Sequence, residues 1–210
     1  MASRARTGAS ILESRSRLDP PSWVNGSLLL AEAYSLGVAA HGSQRRASDR
    51  RYFLDHVSEV GRLLYRAGCK DELVAVGLLH DAVERGTLSA ERLEVQMGPR
   101  ISSLVLVLSE DPSIASFGQR KAGLRDQVER AGEPAMTVYA ADKLSDILGL
   151  RRGMETLRDG LEVRMGTSVP SMAAHYRESV EMIEAVSPDS VFLPDLHLEL
   201  RRLEEAIQRE

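Results

Sequence analysis

The sequence predicts an all-α fold, and three observations carry that prediction. From residue 27 onward, apolar residues recur at three- and four-residue steps. Cap-forming residues and glycines stand where helices of that phase would start and stop. No segment alternates strand and helix in the βαβ manner, and no internal repeat is present.

Each element has its own justification. SLLLAEAYSLGVAAH is rich in good helix formers and holds no proline. YFLDHVSEVGRLLYRAG places Phe53, Val57, Val60 and Leu64 on one face and stops at Gly68. DELVAVGLLHDAVE follows as a helix with Asp71 as its expected N-cap. SAERLEVQMG starts at Ser89 and ends at Gly98. PRISSLVLVLSED is the most strand-like piece because of its β-branched residues, but Pro99 at a first helical position favours helix. A longer helix is expected over 113–131, ending at Gly132, and another from near Pro134 through AMTVYAADKLSDILGLRRGME. RMGTSVP reads as a loop. MAAHYRESVEMIEAV and LHLELRRLEEAIQRE read as two closing amphipathic helices. Residues 1–26, rich in Arg and Ser and containing Pro20-Pro21, are expected to be a flexible arm, either a tail or a contact arm. Residues 27–210 are expected to form a single helical domain.

Composition narrows the function classes. Apolar residues at 43% and charged residues at 28% suit a globular chain with one sizeable core. A net charge of −4 gives no overall basic footprint for nucleic acid, and 4% aromatics leave little for base stacking. The one cysteine, Cys69, cannot form an internal disulfide, which points to a reducing, cytoplasmic setting. No apolar run reaches the ~18 residues that span a bilayer, so no membrane partner is expected.

LLHDAVERG, residues 78–86, raises the central question. On a helix His80 and Glu84 would share a face, and the run before them is apolar nearly all round. A buried helix ending in His, Asp and Glu must pair those groups, hydrate them or place a metal on them. YAADKLSDI adds Asp142 and Asp146 four residues apart, and two carboxylates on one buried face call for a cation or a proton. His56 points to the apolar side of its helix. His56, His80, Asp81 and Asp142 together offer two imidazoles and two carboxylates. That mixture suits Mn²⁺, Fe²⁺ or Zn²⁺ better than Ca²⁺ or an oxygen-ligated Mg²⁺. From residue types alone, satisfied core polar groups remain the alternative.

Several segments resemble, in order, the (p)ppGpp hydrolase domain of the RelA/SpoT family, an HD-domain helical bundle. AHGSQRRAS resembles its AHxGQxRxS motif, His56 to Val60 its HxxxV piece, LLHDAVE its LLHDVVED, and AADKLSDI its ADKLHN segment. The 24-residue step from His56 to His80 fits the family spacing, and GQRKAGL is like an Arg-Lys pair found before the last segment. The similarity covers roughly residues 28–150. It implies a metal-dependent phosphohydrolase removing the 3′-pyrophosphate of a phosphorylated guanine nucleotide, with one divalent metal, Mn²⁺ first. By position His56, His80, Asp81 and Asp142 would be the ligands, and Glu84 would position or activate the attacking water. Arg46 and Ser48 would line the base and ribose side; Lys143, Arg120 and Lys121 would neutralise phosphates. Tyr176 would either help close the pocket or simply pack. His41, within the matched motif, is expected to be structural.

Three departures stand out. The family's Glu-Asp pair is Glu84-Arg85, its following Thr is Gly86, and its Asn is Asp146. Arg85 and Asp146 compensate in charge and, if near, would pair. The departures leave the expected ligands intact and alter the substrate-facing shell. Three outcomes are compatible with that: slower (p)ppGpp hydrolysis, a related nucleotide whose phosphate meets Arg85, or a nucleotide-binding or scaffold protein that has lost catalysis. A homo-oligomer built on the last helix is compatible with the pattern.

Overall fold

The computed structural model describes residues 18–157 and 160–209. Ten helices lie wholly within them: α1 (Leu28–His41), α2 (Phe53–Arg66), α3 (Asp71–Leu79), α4 (Ala90–Met97), α5 (Pro99–Val107), α6 (Phe117–Ala131), α7 (Glu133–Leu157), α8 (Leu161–Met165), α9 (Val169–Val186) and α10 (Leu193–Ile207). No strand occurs among the described residues; one antiparallel bridge joins Arg45 to Tyr52. The all-α expectation holds. Of the expected arm, residues 1–17 lie outside the described residues. In residues 18–26, Val24 is fully buried and the Trp23 ring lies 5.5 Å from that of Tyr65.

Serine caps set four of the starts. Ser27, Ser89, Ser116 and Ser168 each accept a backbone N–H from the first turn of α1, α4, α6 and α9. Each such cap stabilises its helix by about 1 kcal/mol. The strand-or-helix ambiguity of residues 99–108 resolves to helix, because burial follows a three-to-four-residue period. Ile101, Val105 and Leu108 are buried while Leu106 is 41% exposed.

Four expectations are corrected. The N-cap of α3 is Lys70, without a side-chain cap bond; Asp71 is its first helical residue. There it still favours the positive end of the helix dipole. α3 ends at Leu79, so HDAVE is a turn and not helix. Residues 113–116 precede α6 as non-helical chain. The expected RMGTSVP loop is shorter than written: Arg164 and Met165 close α8, and Val169-Pro170 open α9.

α3 is the inner helix. Val74, Ala75, Val76, Leu78 and Leu79 are at most 1% exposed, which explains why its sequence is apolar on every side. It packs against α1, α2, α5 and α7. A Cβ on Gly77 would lie 2.5 Å from Leu64 Cδ1 and 3.5 Å from Gly61 Cα, so α2 and α3 approach closely there and a side chain at 77 would make Leu64 shift. α7, 25 residues and about 38 Å long, runs past α2, α3 and α6, and α9 and α10 close over it.

Candidate active site

The close crossing of α2 and α3 brings two imidazoles together. His56 is in the first turn of α2 and His80 caps α3; their ring centroids are 5.2 Å apart at 74°. Asp81 follows in the turn, and Asp142 reaches the same point from α7. His80 Nε2 is 3.3 Å from Asp81 Oδ2 and 3.3 Å from Asp142 Oδ1. His56 Nε2 is 3.3 Å from Asp142 Oδ1 and 3.8 Å from Asp81 Oδ2. One potential ligand atom from each of His56, His80 and Asp142 falls within 4.8 Å of the others.

The outer ring nitrogens decide what this cluster is built for. His80 Nδ1 is 2.9 Å from the carbonyl of Gly77, which can only accept, so Nδ1 carries the proton. His56 Nδ1 is 2.9 Å from Ser145 Oγ, and that hydroxyl donates onward to Glu59 Oε2 at 2.7 Å. Ser145 therefore accepts from His56 Nδ1. Both Nε2 atoms are turned toward carboxylates. His80 Nε2 is buried and makes no hydrogen bond. Imidazole nitrogens and carboxylates facing each other in a buried place call for a proton or a cation between them, and the donor set of two imidazoles and two carboxylates fits a divalent metal. Without a cation, the carboxylates favour a proton on His80. Burial works against charge on His80, but Asp81 and Asp142 overcome it and hold its pKa well above the ordinary value. Burial raises the Asp142 carboxyl, yet Lys143 and His80 beside it bring it well below the carboxylate range.

Glu84 borders this cluster and is held from two sides. The backbone N–H of Glu110 donates to Glu84 Oε2 at 2.8 Å, and Arg85 Nη2 lies 3.3 Å from Glu84 Oε1. Burial, then the charge of Asp81, pushes the Glu84 pKa up against the pull of Arg85. Arg85 also stands 3.3 Å from Asp81 Oδ1, with its side chain 48% exposed at the rim. The expected pair between Arg85 and Asp146 is not formed: Asp146 binds Arg46 Nη2 at 2.6 Å and Lys143 Nζ at 3.0 Å. Each charge is paired directly by a nearer partner, and the attraction between Arg85 and Asp146 acts without contact.

Arg46 and Ser48 are carried by the α1–α2 connection. Arg46 N–H donates to Arg51 O at 2.9 Å, and Arg50 at φ 60° completes the turn. The buried Arg46 guanidinium lies against α7 where Gly149 leaves room; a Cβ there would be 2.5 Å from Nη1. His41 stays out of the cluster as expected, bonding Gln44 Oε1 at 2.7 Å and stacking on Phe53. Arg120 and Lys121 reach the pocket from α6, both bound to Glu110. Lys143 is already engaged by Asp142 at 2.8 Å and by Asp146, so its charge balances carboxylates of its own helix.

All twelve residues singled out in the sequence line one cavity of about 340 Å³, together with Tyr176. That volume is in the range of small-molecule sites. Sequence reasoning missed Glu110, Ser145, Asp49 and Gln44, each of which binds a residue of the site, and Glu59, which binds Ser145.

The HD-domain family profile matches residues 33–147. The chain belongs to the HD-domain family. All twelve site residues lie inside the matched stretch of this HD domain. Among relatives, GTP pyrophosphokinase rsh of Brucella ovis is 28% identical over an alignment covering 64% of this chain and 22% of that protein. The HD-domain chain thus spans about a fifth of the length of that relative. The human protein MESH1, named guanosine-3′,5′-bis(diphosphate) 3′-pyrophosphohydrolase, is 29% identical over 59% of this chain and 70% of its own length. Two solved structures share the fold. A metazoan SpoT ortholog, described as hydrolysing ppGpp, superposes with a TM-score of 0.68 at 20% identity, over 84% of this chain and 96% of that one. A Listeria monocytogenes protein superposes at 0.62 and 22% identity, over 70% and 97%.

Proposed function

We propose that this HD domain is a metal-dependent phosphohydrolase that removes the 3′-pyrophosphate of (p)ppGpp or of a closely related phosphorylated nucleotide. One observation carries the proposal: two imidazole Nε2 atoms and two carboxylates converge beside Glu84, in a cavity that is otherwise rich in cations. Five cationic and five carboxylate side chains line that cavity. They balance, so a bound divalent cation leaves it net positive and suited to a polyanionic substrate. The name of the human relative supports guanosine polyphosphate as that substrate.

His56, His80, Asp81 and Asp142 would hold the cation, with Mn²⁺ first among the candidates because nitrogen and oxygen donors are mixed. When bound, such a cation supplies Lewis acidity, polarising phosphoryl oxygens and lowering the pKa of water. Glu84, kept basic by burial and by Asp81, accepts the proton of the attacking water. Glu110 N–H holds that carboxylate in place. Arg46, locked by Asp146, presents a fixed guanidinium edge to the base and ribose side with Ser48. Arg120 and Lys121, sharing Glu110 as counterion, turn toward the phosphates. A reducing, cytoplasmic setting suits the single Cys69.

A second reading is favoured by Arg85 itself. A half-exposed guanidinium at the rim, where the related domains carry an acid, would bind a phosphate that an acid repels. The deciding assay incubates purified protein with Mn²⁺ and ppGpp and follows release of pyrophosphate and GDP. Turnover that is abolished in His80→Ala and Asp142→Ala is the expected result. Metal binding without ppGpp turnover would move the assignment to another phosphorylated nucleotide or to a binding role. Wild-type turnover in both variants would remove the metal assignment.

A further inference from the structure

Behind His56, on the side away from the substrate cavity, lies a second polar cavity of about 340 Å³ to which Glu59, Asp49 and Arg152 contribute. His56 and Arg46 line both cavities. Ser145 is fully buried between His56 and Glu59. Its hydroxyl takes the His56 Nδ1 proton in a hydrogen bond at 2.9 Å and gives its own to Glu59 Oε2 at 2.7 Å. The order of donors is fixed, because the one hydroxyl proton goes to the Glu59 carboxylate, which can only accept, and leaves Ser145 Oγ an acceptor for Nδ1–H. The Glu59 carboxylate is held in turn by Arg152 Nη2 at 3.6 Å, and Arg152 Nε bonds Asp49 Oδ2 at 3.2 Å. Asp49 Oδ2 lies 3.8 Å from Arg46 Nη1.

We propose that Ser145 and Glu59 are positioning residues for His56, a hydroxyl–carboxylate relay that fixes the tautomer and the aim of the ring. This rests on the metal-site reading above. Neither residue touches the acid cluster's open side; both act through the ring. Histidine ligands are held by such outer partners generally, and losing one weakens metal affinity roughly 10- to 100-fold. Here the partner is a serine on α7, three residues after Asp142, backed by an acid on α2, three residues after His56. The relay therefore also pins α2 to α7 at the level of the site. Through Arg152 and Asp49 the same carboxylate is linked to Arg46, so ring and guanidinium share one support.

The test uses Ser145→Ala, Glu59→Gln and the double variant of the full chain, with Mn²⁺ alone as probe. Mn²⁺ affinity is read from the electron paramagnetic resonance of free ion, and the His56 tautomer from its side-chain ¹⁵N shifts in the metal-free protein. Glu59→Gln keeps the shape of a partly exposed side chain, so it reports even if Ser145→Ala folds poorly. Each single variant is expected to bind Mn²⁺ roughly 10- to 100-fold more weakly. The double variant is expected to be no weaker than Ser145→Ala, because the two residues act in series. In Ser145→Ala the ¹⁵N shifts should lose the Nδ1–H form. Wild-type affinity and unchanged shifts in both single variants would overturn the relay and leave the metal site standing. Absence of Mn²⁺ binding by the wild type would overturn both.

Discussion

Arg85 is the residue on which the chemistry turns. It binds Asp81 and Glu84 at once, at 3.3 Å each, so it draws on both a proposed metal ligand and the proposed base. A cation beside a base stabilises its ionised form and makes it a poorer proton acceptor. Arg85→Asp removes that pull and restores the acid found in the related domains. We expect it to raise kcat for ppGpp hydrolysis, on the order of tenfold, within what a general base contributes. Arg85→Ala is expected to fall between the two. Steady-state kinetics decides the matter: a drop in kcat/KM for Arg85→Asp would show that the guanidinium binds substrate. The contacts of Arg85 with Asp81 and Glu84 were within reach of the sequence, being separated by four residues and one. The partners of Asp146 and His56 were not. Arg46 lies 100 residues from Asp146, and Glu59 lies 86 from Ser145, and no local period encodes such meetings.

At the scale of the element, helices were legible where an apolar period and a cap agreed. Ser89 with α4 and Pro99 with α5 are such cases. HDAVE was read as the end of the apolar helix before it, although His, Asp and Val are weaker helix formers. The chain turns there, and the expectation of a shared helix face for His80 and Glu84 went with it. His175 on α9 is buried and ties α9 to α6. Arg125 Nη1 lies 2.9 Å from His175 Nδ1. Arginine only donates, so His175 is the acceptor and must be neutral. Burial first, then Lys143, Lys121 and Arg125, depress its pKa far below the ordinary 6.5. The folded protein thus binds fewer protons at this site than the unfolded chain once pH falls below about 6.5. Its contribution is fully present above that pH and is lost progressively below it, by up to about 1.4 kcal/mol per pH unit. His175→Gln lacks this titration. Urea unfolding of the metal-free proteins at pH 7.5, 6 and 5 should show a shallower acid loss in the variant. Parallel curves would mean that His175 is protonated in the native state.

At the scale of the molecule, the site is where three segments of the chain are fastened. His56 on α2, His80-Asp81 after α3 and Asp142 on α7 come from positions separated by 24 and then 61 residues. Only the folded chain brings them together, so a cation bound there is linked to global stability. Lys143 and His80 already offset the buried acids, which lets the helices pack without a metal; the cation adds its binding free energy to a fold that stands by itself. At a free concentration a hundred times its Kd, it stabilises the native state by about 2.7 kcal/mol. For a chain of this size that raises the melting temperature by about 5–10 °C. Mn²⁺ should produce the shift in calorimetry, EDTA should reverse it, and His80→Ala and Asp142→Ala should not respond. Mg²⁺ at equal concentration should act more weakly, because two of the four donors are imidazole nitrogens. An equal shift from Mg²⁺ in wild type and His80→Ala alike would place the ion on carboxylates elsewhere and detach the histidines from metal binding.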